Sequence, residues 1–155
     1  MIHKDDNHET PRYDVMLPEN SRAIENTRQL GFKMEDLACE YLKKQGYQIK
    51  YRNFLSRYGE IDAIGYDEDI LAFIEVRYRK HGSLVAPSES IDRRKIEKLK
   101  LAIRDFLGRN ALYMEEYAGI RVDLCSVTGS GTPKNVDRHK THGLCFQIIK
   151  GIFDF

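Results

Sequence analysis

Cysteine is scarce in this sequence: Cys39, Cys125 and Cys145 are the whole set, an odd number with no CxxC pair. That argues against a disulfide framework and against a thiolate zinc site, and the three read as buried reduced thiols. Long apolar runs are also missing, none approaching the roughly 18 residues of a membrane span. The first residues, among them Lys4, Asp5, Asp6, His8, Glu9 and Arg12, leave no apolar core for a signal peptide. A soluble, cytoplasmic protein with no membrane partner is expected. Charge of one sign is lacking too: the formal net charge of +1 exerts no global pull on nucleic acid, so any attraction must be local.

What is present suits one folded unit. The chain has 155 residues, 41% of them apolar, enough for one buried core and too few for two. Residues 1–21, with Pro11, Pro18 and scattered charge, read as a flexible extension, and 22–155 as a single domain. From about 26 to 45, Leu30, Met34, Leu37, Ala38, Tyr41 and Leu42 recur at helical intervals, and Gly46 is placed to end that helix in a left-handed turn. Strands are expected near 47–51, 60–65 and 70–78 as a meander. A second helix follows, capped at Ser88 or Ser90, carried by Ile91, Ile96, Leu99, Ala102, Ile103 and Phe106 and ending near Gly108. A strand at 120–127 is expected to return parallel to the third, and 144–149 is either a last strand or a packed tail. This order predicts an α/β fold, a mixed sheet flanked by helices with the core sequence αβββαβ.

Two acids stand out within this pattern. Asp62 in Gly59-Glu60-Ile61-Asp62 and Glu75 in Phe73-Ile74-Glu75-Val76-Arg77 fall inside apolar strands, where a carboxylate needs a partner. Pairing Tyr66 with Leu71 across a four-residue loop sets Asp62 opposite Glu75, about 5 Å apart at Cβ, and Glu60 opposite Arg77. One divalent cation fits between such acids. Charge is segregated around them: residues 60–75 hold six acids and no Lys or Arg, whereas 77–104 hold nine bases against three acids. An acidic centre beside a basic margin suits a metal site bordered by a phosphate track, although a solvated helix face would also account for the basic half.

The acid, spacer, acid-x-base arrangement resembles the PD-(D/E)xK metal site of restriction-endonuclease-like nucleases, with Arg77 where that motif has lysine. With Glu35-Asp36-Leu37-Ala38, Tyr41-Leu42, Gly46-Tyr47, Arg52-Asn53, Arg94-Lys95 and Arg121-Val122-Asp123 included, the chain resembles the YraN family over about residues 31–127. These are small bacterial proteins related in fold to archaeal Holliday junction resolvases. The resemblance implies a restriction-endonuclease-like fold and a metal-dependent DNA endonuclease using magnesium or manganese. It further implies branched or damaged DNA as substrate and a homodimer, since a resolvase needs two sites. Asp62, Glu75 and Arg77 are then the catalytic candidates, and Glu35 joins Asp62 and Glu75 as a metal ligand.

Each assignment has a plainer alternative. Asp62 and Glu75 could be sheet-edge carboxylates held by Arg or Lys, Glu35 a boundary acid paired with arginine, and Arg77 a cross-strand partner of Glu60. Arginine stays protonated near neutrality, so Arg77 can grip a phosphate but cannot act as a base; catalysis would then need Lys80 or Lys95 to reach the site from another element. Arg93, Arg94, Lys95, Lys98 and Lys100 lie on one helix, where the first four are expected to follow a nucleic-acid backbone, Lys95 nearest the metal. Asp123 reads as a structural acid for Arg121 or backbone amides. His139, His142 and Cys145 have zinc-like spacing but no fourth ligand. The rival to a nuclease is a non-catalytic nucleic-acid-binding or scaffold protein with the same fold.

Overall fold

The computed structural model describes residues 19–80, 92–111, 116–129 and 143–153. Helix α1 spans Glu19–Lys44 and buries Met34, Leu37, Ala38 and Leu42, the stripe expected from helical spacing. It begins at Glu19 rather than near 26, so the end of the expected extension lies in its first turn, and residues 1–18 fall outside the described residues. Gly46, at φ +100°, terminates it: Gly46 N donates to Lys43 O and Tyr47 N to Leu42 O, both at 3.1 Å. Such a left-handed cap satisfies carbonyls that the helix end would otherwise leave without donors.

Strands β1 (Gln48–Ser56), β2 (Gly59–Asp67) and β3 (Ile70–Lys80) form the meander, all antiparallel. The Tyr66–Leu71 pairing holds as expected, but Asp67 also pairs with Ile70, so the loop is two residues, Glu68 and Asp69, rather than four. Glu68 takes φ +57° in this tight turn. The β1 ladder shifts register between Ile49 and Tyr51, where a Cβ on Gly65 would collide with the Gln48 carbonyl, so the close approach requires glycine.

Helix α2, Arg93–Asn110, carries the crossover to β4 (Gly119–Gly129), which runs parallel to β3 from Ile70–Gly119 to Lys80–Gly129. Its cap is Asp92, whose carboxylate accepts from Lys95 N at 2.7 Å. Ser88 and Ser90, the caps expected, lie with Ile91 outside the described residues, and the helix runs past Gly108 to Asn110. Strand β5, Leu144–Ile149, adds antiparallel to β4, giving the sheet order β1-β2-β3-β4-β5. The result is the expected αβββαβ core with one further edge strand.

Alternation along β3 divides the core. Ala72 and Ile74 pack with Met34, Leu37, Ala38 and Leu42 of α1; Leu71 and Phe73 pack with Leu99, Ala102, Ile103 and Phe106 of α2. Phe106 anchors α2 by edge contacts to Tyr51, Phe54 and Phe73, at centroid distances of 5.0, 5.0 and 5.6 Å. Each buried aliphatic or aromatic side chain of this kind contributes roughly 1.5–3 kcal/mol. Cys39 and Cys125 are buried free thiols as expected, whereas Cys145 is exposed, on the face of β5 opposite Leu144, Phe146 and Ile148, which pack against the core. No described helix is long and apolar enough to cross a membrane.

Candidate active site

Continuing the β3 alternation past Leu71 and Phe73 puts Glu75 and Arg77 on the side covered by α2. Glu75 is only 1% exposed, so its charge requires compensation from neighbours. Two cations supply it. Lys95 Nζ, reaching in from the first turn of α2, donates to Glu75 Oε1, and Arg77 Nε lies 3.1 Å from the same oxygen. Arg77 Nε nonetheless makes no geometrically acceptable hydrogen bond, and Glu75 Oε2, also buried, has no partner. A buried carboxylate oxygen without a donor is costly and calls for a further partner, such as a water or a cation.

Asp62 comes to the same point from β2. The β2–β3 ladder runs from Asp67–Ile70 to Ala63–Ile74, and beyond it Asp62 Oδ2 accepts from Val76 N at 2.7 Å. Burial and the neighbouring Glu75 charge raise the Asp62 carboxyl to about 7, against the opposing effect of the Val76 hydrogen bond. Glu35 on α1 adds to the rise and Lys95 reduces it, so all four side chains share one electrostatic environment. Glu35 itself accepts from Asn53 Nδ2 at 2.7 Å. Among the described residues no three of His, Cys, Asp and Glu gather into a ready cluster, and Asp62 with Glu75 forms the close acidic pair.

The donors fit a hard divalent cation. Glu75 Oε2 is free, Asp62 sits beside it, and both are oxygen ligands of the kind magnesium and manganese take. Asp62 lines a cleft of about 430 Å³ together with Gly59, Glu60, Asp92, Arg94, Lys95, Lys98 and Leu99, while Glu75 is buried behind that lining and reaches it through Lys95. Of the expected phosphate-contacting residues, Arg94, Lys95 and Lys98 therefore face the site. Arg93 is exposed outside this lining, and Lys100 turns away to place its Nζ 5.3 Å from the Phe153 ring centroid. Lys80 has no described side chain and His139 and His142 lie outside the described residues.

Of two expected structural alternatives, one changes and one holds. Arg77 is paired with Glu75 on its own strand rather than with Glu60, which is exposed and lines the cleft. Asp123 is the structural acid expected: wholly buried, it accepts from Tyr47 Oη at 2.9 Å, Arg121 Nε at 2.8 Å and Gly151 N at 3.0 Å. Arg121 also donates to Asp67, which takes a second bond from Lys150 at 2.6 Å. In the sequence Asp67 is one of the six acids of residues 60–75 and part of the polar stretch after Tyr66, and nothing there marks Arg121 and Lys150 as its partners. Asn53 was likewise missed as the support for Glu35, although it sits at φ +51°, a conformation asparagine tolerates better than most residues.

A family model, "Uncharacterised protein family UPF0102", matches residues 34–127. The chain belongs to the UPF0102 family. This is the YraN family that its motifs resemble. A UPF0102 protein of Carboxydothermus hydrogenoformans is 47% identical over 88 residues, covering 57% of this chain and 75% of the relative. Those of Syntrophomonas wolfei and Marinobacter nauticus are each 38% identical, over 64% and 72% of this chain and 84% and 89% of their own lengths. The UPF0102 match takes in Glu35, Asp62, Glu75, Arg77 and Lys95, and ends within β4, before β5.

Proposed function

We propose that this UPF0102 protein is a metal-dependent DNA endonuclease of the PD-(D/E)xK type, acting on branched or damaged DNA. The observation that carries the reading is the buried Glu75, with Oε2 unpartnered, next to Asp62, which lines a cleft shared with Arg94, Lys95 and Lys98. Asp62 and Glu75 are the residues that would hold magnesium or manganese, with Glu35 a further carboxylate nearby. When bound, such an ion supplies Lewis-acid polarisation of a phosphodiester and a hydroxide near neutral pH.

The chain's own groups do the rest. Arg77, fixed by its ion pair to Glu75, presents a permanently charged guanidinium for phosphate oxygens and stabilises charge that develops during cleavage. Arg94 and Lys98 hold the flanking backbone electrostatically, which orients DNA along α2 without reading its sequence. The preference for branched or damaged DNA follows the resemblance to junction resolvases and so remains part of the same proposal.

Arg77 in place of lysine favours a second reading, a binder that retains the fold and does not cut. Incubation of linear, nicked, flapped and four-way DNA with magnesium or manganese distinguishes the two. Cleavage that disappears in Asp62→Asn and Glu75→Gln supports the nuclease; salt-sensitive binding without cleavage of any form supports the binder.

A further inference from the structure

We propose that Lys95 is a resident cation of the candidate site, occupying Glu75 in DNA-free protein and moving to the phosphodiester when DNA enters, so that divalent-metal binding and DNA binding are mutually reinforcing. The inference rests on the metal-site reading above and concerns how that site is regulated.

Three observations carry it. First, Glu75 Oε1 already meets two positive groups, Lys95 Nζ and Arg77 Nε, while Oε2 meets none. A divalent ion added beside an ammonium and a guanidinium suffers repulsion from both in a site of low dielectric. Arg77 sits two residues along the same strand with a planar, pre-organised guanidinium, whereas Lys95 reaches over from α2 on a flexible four-carbon stem. Lys95 is thus the cation that can leave.

Second, there is a place for it to go. Lys95 lines the same cleft as Arg94 and Lys98, and its side chain keeps 37% exposure even while it contacts Glu75. An entering phosphate offers the ammonium a new anion within that lining, and its withdrawal relieves the repulsion at Glu75. Third, the pivot is fixed. Asp92 accepts from Lys95 N at 2.7 Å, so the backbone of Lys95 is tied to the helix cap and the change is confined to its side chain.

Competition between Lys95 and a divalent ion for Glu75 is measurable with metal alone, and its coupling to DNA, being reciprocal, is read from metal affinity with and without a duplex. The experiment is calorimetric titration of manganese chloride into the full-length parent, Lys95→Met, Lys95→Gln and Glu75→Gln, with circular dichroism on the same samples to verify folding. Arg104→Met, which removes a charge from the exposed side of α2 outside the cleft lining, controls for net charge. The expected result is manganese binding about fivefold or more tighter in either Lys95 variant than in the parent, near-parental binding in Arg104→Met, and loss in Glu75→Gln. A phosphorothioate DNA duplex, added at saturation, should then tighten manganese binding in the parent by more than in Lys95→Met.

Equal manganese affinity in the parent and both Lys95 variants, with binding still lost in Glu75→Gln, overturns the resident-cation proposal and leaves the metal site standing. An equal gain from the duplex in parent and Lys95→Met overturns the coupling. Binding that is insensitive to Glu75→Gln in every variant overturns the metal site and this proposal together.

Discussion

Asp62 Oδ2 accepts a 2.7 Å hydrogen bond from Val76 N, taking up a strand amide just beyond the last paired residues of the β2–β3 ladder. The side chain therefore does two things at once. It closes the end of a hairpin and places a carboxylate against Glu75, where burial and like charge favour its protonated form.

The sign of the resulting pH dependence follows directly. The Asp62 carboxyl is raised from 3.8 to about 7 in the folded protein, so between those values the folded state binds more protons than the unfolded state. Stability of the metal-free protein should fall as pH rises through that window. Asp62→Asn, which keeps an acceptor for Val76 N, should flatten this fall and be more stable than the parent at pH 8 by roughly 1–3 kcal/mol. Urea unfolding at pH 5 and pH 8 without metal measures it; a parent no less stable at pH 8 than at pH 5 relative to the variant would count against the assignment.

Arg77 separates the enzyme from the binder. Arg77→Lys should retain cleavage or improve it, and Arg77→Ala should lower kcat about a hundredfold or more, as loss of a charge-stabilising donor does. Since Arg77 pairs with Glu75 and not with Glu60, Glu60→Gln should leave stability within about 0.5 kcal/mol of the parent. A Glu60→Gln variant as destabilised as Arg77→Ala would restore the cross-strand pairing expected from sequence.

The cleft cations should act through phosphate. Arg94→Ala and Lys98→Ala are each expected to weaken DNA binding for every sequence tested and to lower the salt slope by about 1. Fluorescence anisotropy over a range of potassium chloride concentrations reads both quantities. An unchanged slope would return this part of α2 to solvated surface.

The cluster on β4 should show purely structural behaviour. Arg121→Met leaves the buried Asp123 without its arginine and should cost about 3 kcal/mol or more, whereas Tyr47→Phe removes one hydrogen bond and should cost about 1 kcal/mol. Burial opposes the charge on Asp67, but bonds from Lys150 and Arg121 outweigh it and hold its carboxyl below the ordinary range. Its contribution is full above that range and is lost as pH falls through the lowered value. Denaturant midpoints for the two variants, together with unaltered manganese binding, check the assignment.

Local pattern determined much of this protein. Helical spacing of Met34, Leu37, Ala38 and Leu42 marks the buried face of α1, and Gly46 ends it because a left-handed turn suits a residue without Cβ. Strand alternation and the Tyr66–Leu71 pairing predict that Asp62 and Glu75 converge, since a two-residue period ties side-chain direction to register. Even the parallel return of β4 is legible, from the length of the helical gap before it.

What tertiary structure alone decided is which charge meets which. Lys95 reaches Glu75 because the crossover lays α2 over that face of the sheet, and Phe106 locks its position against Tyr51, Phe54 and Phe73. Arg77 turns to Glu75 instead of Glu60, Asn53 engages Glu35, and Asp67 joins Arg121 and Lys150 from three separate segments. Long charged side chains choose among partners over several ångströms, and that choice depends on the docking of whole elements, which no local periodicity encodes.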